Sequence, residues 1–291
     1  MSAKTAMSAE AAMRAGDRRA SMGSPTAPLA FITGASSGIG QALALAYLQR
    51  GWRVALLARR ADRIEQWLDA ERVDRSRVLV LPADVTDADA VIEAAQQCLA
   101  RFGLPNVVVA NAGVSVGMDS TQREDLDVMA RLLATNVSGL VASFHPFVGA
   151  MRARGSGTLV GVASVAGMRG LPGHGAYCAS KAAAITYCES LRVELRGSGV
   201  RVVTLAPGYV DTPLTRKNRH PMPFLLPADR FARLALQAID AGARLRVIPW
   251  QMAWVARLLR VLPAAWVDAA VARAPRKHRD RDALQQPPGP R

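Results

Sequence analysis

Leu29-Ala30-Phe31-Ile32-Thr33-Gly34-Ala35-Ser36-Ser37-Gly38-Ile39-Gly40 runs from a short apolar strand pattern, through a glycine-rich turn, into a helical pattern that ends near Gln49. Glycines at positions 34, 38 and 40 let the backbone turn sharply, approach a pyrophosphate and pack helix against strand. The helix start adds unpaired N–H groups and the positive end of the helix dipole. Strand, turn and helix together read as one end of a dinucleotide site. A glycine-rich turn without a ligand is the plainer alternative.

Outward from this unit, short runs rich in β-branched residues recur at Val54 to Ala58, Val78 to Pro82, Val107 to Asn111, Thr158 to Val162, Val200 to Ala206 and Leu245 to Ile248. Between them Asp62 to Glu71, Asp87 to Arg101, Arg123 to Met151, Gly175 to Gly197 and Pro227 to Ala241 carry helical patterns. This alternation predicts an α/β fold, a Rossmann-type doubly wound sheet of seven parallel strands in a single domain over 28–249. A chain of 291 residues is long enough for one such domain with a sizeable core. No solenoid-period repeat and no uncharged apolar run of about 18 residues occurs.

Residues 1–27 hold Arg14, Arg18 and Arg19 but no continuous apolar stretch. They read as a disordered leader, with Met22 as a second candidate start and a targeting peptide as the alternative. Residues 284–291, rich in Gln and Pro, read as a disordered tail. Cys98, Cys178 and Cys188 are odd in number and lack any C-x-x-C or metal-ligand spacing, which predicts a reducing, cytoplasmic setting with no disulfide framework and no metal site. The formal net charge is +14, and from Arg216 to Arg291 there are 15 Lys/Arg against 5 Asp. An anionic neighbour fits that excess, and so does a merely soluble basic surface. Nucleic acid is disfavoured, because no recognition motif surrounds the aromatic residues.

The remaining motifs carry chemistry. After the second strand the chain reads Leu57-Ala58-Arg59-Arg60, with no carboxylate to hold a ribose 2′-hydroxyl. Arg59, with Arg60 or Ser36, suits a 2′-phosphate through charge-assisted hydrogen bonds and predicts NADP(H) rather than NAD(H). Exposed arginines at a helix start are the alternative. Further along, Tyr177-Cys178-Ala179-Ser180-Lys181 puts a phenol and an ammonium at i and i+4 on one helix face, where the cation would favour the phenolate. Hydride transfer to a carbonyl needs such an acid beside the oxygen. Ser164, which follows the fifth strand, stands 13 residues before Tyr177. His174, three residues before the tyrosine, reads as a loop residue, and Cys178 as a packed thiol.

From about Leu29 to Leu214 the sequence resembles the short-chain dehydrogenase/reductase family, through the Gly34-to-Gly40 turn, Asp84-Val85, Ala110-Asn111-Ala112-Gly113, Ser164, Tyr177, Lys181 and Pro207-Gly208. The resemblance implies that Gly34, Ser36, Ser37, Gly38, Ile39 and Gly40 cradle the cofactor, that Asp84 and Val85 contact its adenine, and that Asn111, Ala112 and Gly113 flank it. Ala110 departs from the family's first Asn. Ser164 would bind the substrate oxygen and Tyr177 transfer the proton. Lys181 would lower the tyrosine pKa and hold the ribose, and Asn136 would hold a water that relays protons to Lys181. Pro207, Gly208, Val210 and Thr212 would embrace the nicotinamide. The expected function is an NADP-dependent oxidoreductase acting between a carbonyl and a secondary alcohol in a small molecule, with a homodimer or homotetramer built on the two long helices. An NADP-binding membrane-surface or scaffold protein without significant turnover is the alternative.

Past the last strand, Trp250, Met252, Trp254, Val255, Leu258, Leu259, Val261, Leu262, Trp266 and Val267 alternate with Arg257 and Arg260, and Pro275-Arg276-Lys277-His278-Arg279 follows. This basic amphipathic extension over 250–283 fits either peripheral membrane contact through 250–279, with a lipid-like substrate, or docking on the body. The resemblance implies that the segment Arg216 to Phe224 closes over substrate; its basic cluster fits an acidic substrate, its Met, Phe and prolines fit an apolar lid, and a solvated basic loop is the alternative.

Overall fold

In the computed structural model the described residues are 27–216, 218, 221–272 and 279. The expected leader over 1–26, the tail over 284–291 and most of the extension beyond Ala272 lie outside them. Seven strands form one parallel sheet: β1 (Leu29–Thr33), β2 (Arg53–Ala58), β3 (Val78–Pro82), β4 (Val107–Ala110), β5 (Gly157–Val162), β6 (Val200–Pro207) and, after two further short strands, β9 (Leu245–Ile248). Their order is β3-β2-β1-β4-β5-β6-β9, so the chain reverses its direction of travel between β1 and β4. Ala30 pairs with Val54 on one side and Val107 on the other. Crevices at such a reversal, beyond the carboxyl ends of the strands, are where doubly wound folds bind ligands.

The strands read as nearly continuous apolar runs because helices cover both faces. Phe31 points to one face, where Val91 and Cys98 of α3 (Ala88–Phe102), Phe144, Phe147 and Met151 of α5 (Gly139–Arg154) and Cys188 of α6 (Gly175–Glu194) bury against it. Ile32, one residue on, points to the other, with Leu43 and Tyr47 of α1 (Gly38–Gln49), Ile64 of α2 (Ala61–Ala70) and Phe231 and Leu236 of α7 (Ala228–Asp240). All three cysteines are buried and free.

Three features differ from the sequence expectation. The helix expected over Arg123 to Met151 is α4 (Asp125–Leu133), a π turn over Ala134–Ser138, and then α5. The run Asp125–Arg154 is long and apolar enough for a membrane span, yet Leu140, Phe144, Phe147 and Met151 put it into the core. β7 (Val210–Asp211) and β8 (Leu226–Pro227) pair apart from the main sheet, and α8 (Trp250–Val261) and α9 (Ala264–Val271) break at Leu262-Pro263 because proline cannot continue the ladder.

Candidate active site

The Gly34-to-Gly40 turn sits at the carboxyl end of β1 with Gly34 at φ +68° and Gly38 at φ +59°, a region that side chains rarely adopt. A Cβ at Gly40 would lie 2.4 Å from the Gly34 carbonyl oxygen, so the helix start is pressed onto its own turn. Ser37 occupies the N-cap of α1 without a side-chain cap bond, and no acidic residue stands in the first turn. The first amides of α1 therefore lack the usual side-chain acceptors and face the cleft, as a phosphate would require.

β4 brings Asn111 beside this turn. Its Nδ2 donates to the carbonyls of Thr33 (3.0 Å) and Gly34 (3.2 Å), while the amides of Asn111 and Ala112 donate to the Thr33 hydroxyl. Asn111 thus fastens the two strand ends that flank the crevice. At the β2 end, Arg59 lies half-exposed with its Nη1 3.4 Å from the Asp84 carboxylate, which also accepts the Thr86 amide. Partial burial and the like charges of Arg63 and Arg59 push the Arg60 guanidinium below its ordinary pKa. An anion placed there would relieve that repulsion.

One cleft joins these residues to the other expected set: Ser36, Ser37, Gly38, Ile39, Arg59, Arg60, Asp84 and Val85 line it at one end, and Ser164, Tyr177, Lys181, Gly208, Val210 and Thr212 at the other. Val114, Thr135, Pro213, Leu214 and Thr215 also line it and escaped the sequence reading. Thr215 had no motif to mark it, yet its hydroxyl accepts the Thr212 amide and fixes the loop that bears Val210 and Thr212. Gly40 and Asn136 lie just behind the lining, as supports.

Lys181 is 4% exposed, and its Nζ donates to the Val162 carbonyl (2.9 Å). Burial drags its pKa from 10.5 to about 8. Tyr177 is half-buried by surface, but protein surrounds its phenol and pushes that group above its ordinary pKa, against the lowering effect of a hydrogen bond with Ser164. This departs from the expectation that Lys181 lowers the tyrosine. The same low-polarity surroundings that raise the phenol penalise the cation that was to stabilise its anion, and Nζ stands 5.9 Å from the ring centroid. The Ser164 hydroxyl also caps the turn after β5 by accepting the Ala166 amide (3.1 Å).

Asn136, 1% exposed, occupies the π turn. Its Oδ1 accepts the Val114 amide (2.8 Å), and its Nδ2 donates to the Val114 carbonyl (3.0 Å) and the Ser180 hydroxyl (2.9 Å). The wider turn frees an Asn that would otherwise compete with helical bonds, and it ties the loop after β4 to the helix that carries Tyr177 and Lys181.

A short chain dehydrogenase family model matches residues 28–223. An uncharacterized oxidoreductase of Myxococcus xanthus is 42% identical over 244 residues, 84% of this chain and 96% of that protein. Two solved structures are 25% identical. A short chain dehydrogenase/reductase from Burkholderia phymatum in complex with NAD has a TM-score of 0.73 over 86% of this chain and 96% of its own. A short chain dehydrogenase from Burkholderia cenocepacia in complex with NADP scores 0.72 over 84% and 97%. The chain belongs to the short-chain dehydrogenase family, a family of oxidoreductases that includes structures solved with either nicotinamide dinucleotide.

Proposed function

We propose that this chain is an NADP(H)-dependent oxidoreductase that interconverts a carbonyl and a secondary alcohol, with Tyr177 as the proton-transfer group. The observation that carries the reading is the single cleft with paired arginines at one end and Tyr177, Lys181 and Ser164 at the other. The uncapped start of α1 suits a pyrophosphate, and Arg59 with Arg60 suits a 2′-phosphate where an acid would be needed for the free hydroxyl.

Bound NADP(H) supplies or takes up the hydride. The chain's own residues do the rest. Ser164 holds the substrate oxygen beside Tyr177, and the phenol, kept protonated by burial, gives its proton to that oxygen in reduction and takes it back in oxidation. Lys181, titrating near pH 8, supplies donors to the ribose and returns a proton towards the phenol; Asn136 keeps the Tyr177–Lys181 helix and the Val114 loop in register. The same reading carries self-association along α4–α5 and α6 and a cytoplasmic setting.

The test follows NADPH oxidation over aldehydes, ketones, sugars and 3-oxoacyl compounds, in the wild type and in Tyr177→Phe. Turnover on part of the panel, lost in Tyr177→Phe with NADPH binding retained, is the expected result. Full turnover in the variant overturns the assignment of Tyr177, and wild-type affinity equal for NADPH and NADH overturns the cofactor.

A further inference from the structure

α8 and α9 have two different sides. On the inner one, Met252 (7% exposed), Ala256 (5%) and Val267 (1%) pack on the body, and a Cβ at Gly208 would lie 2.9 Å from the Met252 side chain, so the helix abuts the rim of the active-site cleft. Near the end of the extension Arg279 grips the buried Asp125 of α4 through two hydrogen bonds (2.7 and 2.8 Å). The outer side carries Trp250 (63%), Trp254 (67%), Leu258 (58%) and Val261 (78%), with Trp266 (68%) on α9. The α8 residues follow one another at i, i+4, i+8 and i+11, a stripe of about 16 Å along one face. Among the described residues nothing covers it, and three of the chain's five tryptophans stand there.

The charges around this stripe indicate what covers it. From Ala241 to Val267 no Asp or Glu occurs, while Arg244, Arg246, Arg257 and Arg260 do. Arg244 and Arg246 are exposed on β9 and the turn before it, and Arg257 is exposed within α8. Two copies pressed together through this face would bring like charges into contact. An anionic bilayer instead takes arginines at its phosphates, apolar side chains at the acyl boundary and tryptophan rings at the level between. We propose that this face docks the protein onto an anionic phospholipid membrane, with α8 lying flat in the interface and the cleft rim at Gly208 close to the bilayer. Twelve residues are too few to span one. This proposal rests on the surface alone and stands apart from the cofactor reading.

The test is co-sedimentation of the full chain with phosphatidylcholine vesicles, with and without about one third phosphatidylglycerol. The comparison is between the wild type, Trp254→Glu/Leu258→Glu and, as a control on another exposed apolar residue, Leu126→Glu. Expected is binding to the anionic vesicles, weakened by salt, with a blue shift of tryptophan emission; the double variant loses at least tenfold in partitioning while Leu126→Glu keeps it. All three proteins should retain the same thermal unfolding. Absence of vesicle binding by the wild type, or equal binding by the double variant, overturns the proposal. So does light scattering that shows a wild-type oligomer dissolved by the double substitution without any lipid binding.

Discussion

Lys181→Met tests the energetics of the buried pair most directly. A lysine whose pKa falls from 10.5 to about 8 on folding costs the folded state about 3 kcal/mol while it stays charged. Methionine removes that cost, fills similar volume, and forfeits the 2.9 Å bond to the Val162 carbonyl, worth about 1–2 kcal/mol. The net expectation near pH 7 is a gain of about 1–2 kcal/mol, a rise in Tm of about 3–6 °C. The pH dependence carries the sign. As pH climbs from 8 towards 10.5, the folded chain sheds the proton while the unfolded chain still holds it, so wild-type stability rises and the gap to Lys181→Met closes and then reverses, leaving the wild type about 1–2 kcal/mol the more stable. Tyr177 titrates in both proteins and cancels in the difference. Urea and thermal unfolding at a series of pH values measure the gap; one that stays constant across this window, or a variant less stable throughout, refutes the reasoning. Activity in the same variant should fall sharply, because the ribose-side donors are gone.

Arg59→Ala should weaken NADPH binding about tenfold, from loss of a charge-assisted contact on a half-exposed side chain, and leave NADH unchanged, as read by fluorescence titration; equal losses for both would count against the 2′-phosphate assignment. Gly40→Ala brings a Cβ within 2.4 Å of the Gly34 carbonyl and 2.9 Å of the Ala35 Cα, so urea unfolding should register a loss of about 1–3 kcal/mol, with weaker binding of either dinucleotide. Arg279→Ala leaves Asp125, 3% exposed, with the Asp119 amide (2.6 Å) among its remaining contacts, and a lower urea midpoint than the wild type is expected in the same assay.

The sheet was legible because its strands are short β-branched runs set off by Gly, Pro or Asn, and five of the seven pair with a neighbour on both sides, as those runs imply. Cleft residues were legible for another reason: they stand at strand ends, where backbone geometry demands particular residue types. The π turn was not, since Ala134 to Ser138 contains no Gly or Pro and the apolar pattern continues on either side. Nor was the effect of burial on Tyr177 and Lys181, because an i, i+4 spacing conveys proximity along a helix but not how much protein closes over the pair. Residues such as Thr215 act through a loop conformation, which no local pattern encodes. The partner of Arg279 lay 154 positions away, beyond any periodicity.

The π turn also bears on how this chain tolerates change in length. Elsewhere along the thirty residues from Asp125 to Arg154, one inserted residue would rotate everything after it by about 100° and swing Phe144 and Phe147 out of the core. A π turn absorbs one extra residue within a single wide loop of backbone and leaves the helices on either side in phase. Ala134 to Ser138 is therefore the one stretch of this helix where a single-residue deletion is structurally silent for the core on both sides, and what it would erase is the reach of Asn136 to Val114 and Ser180.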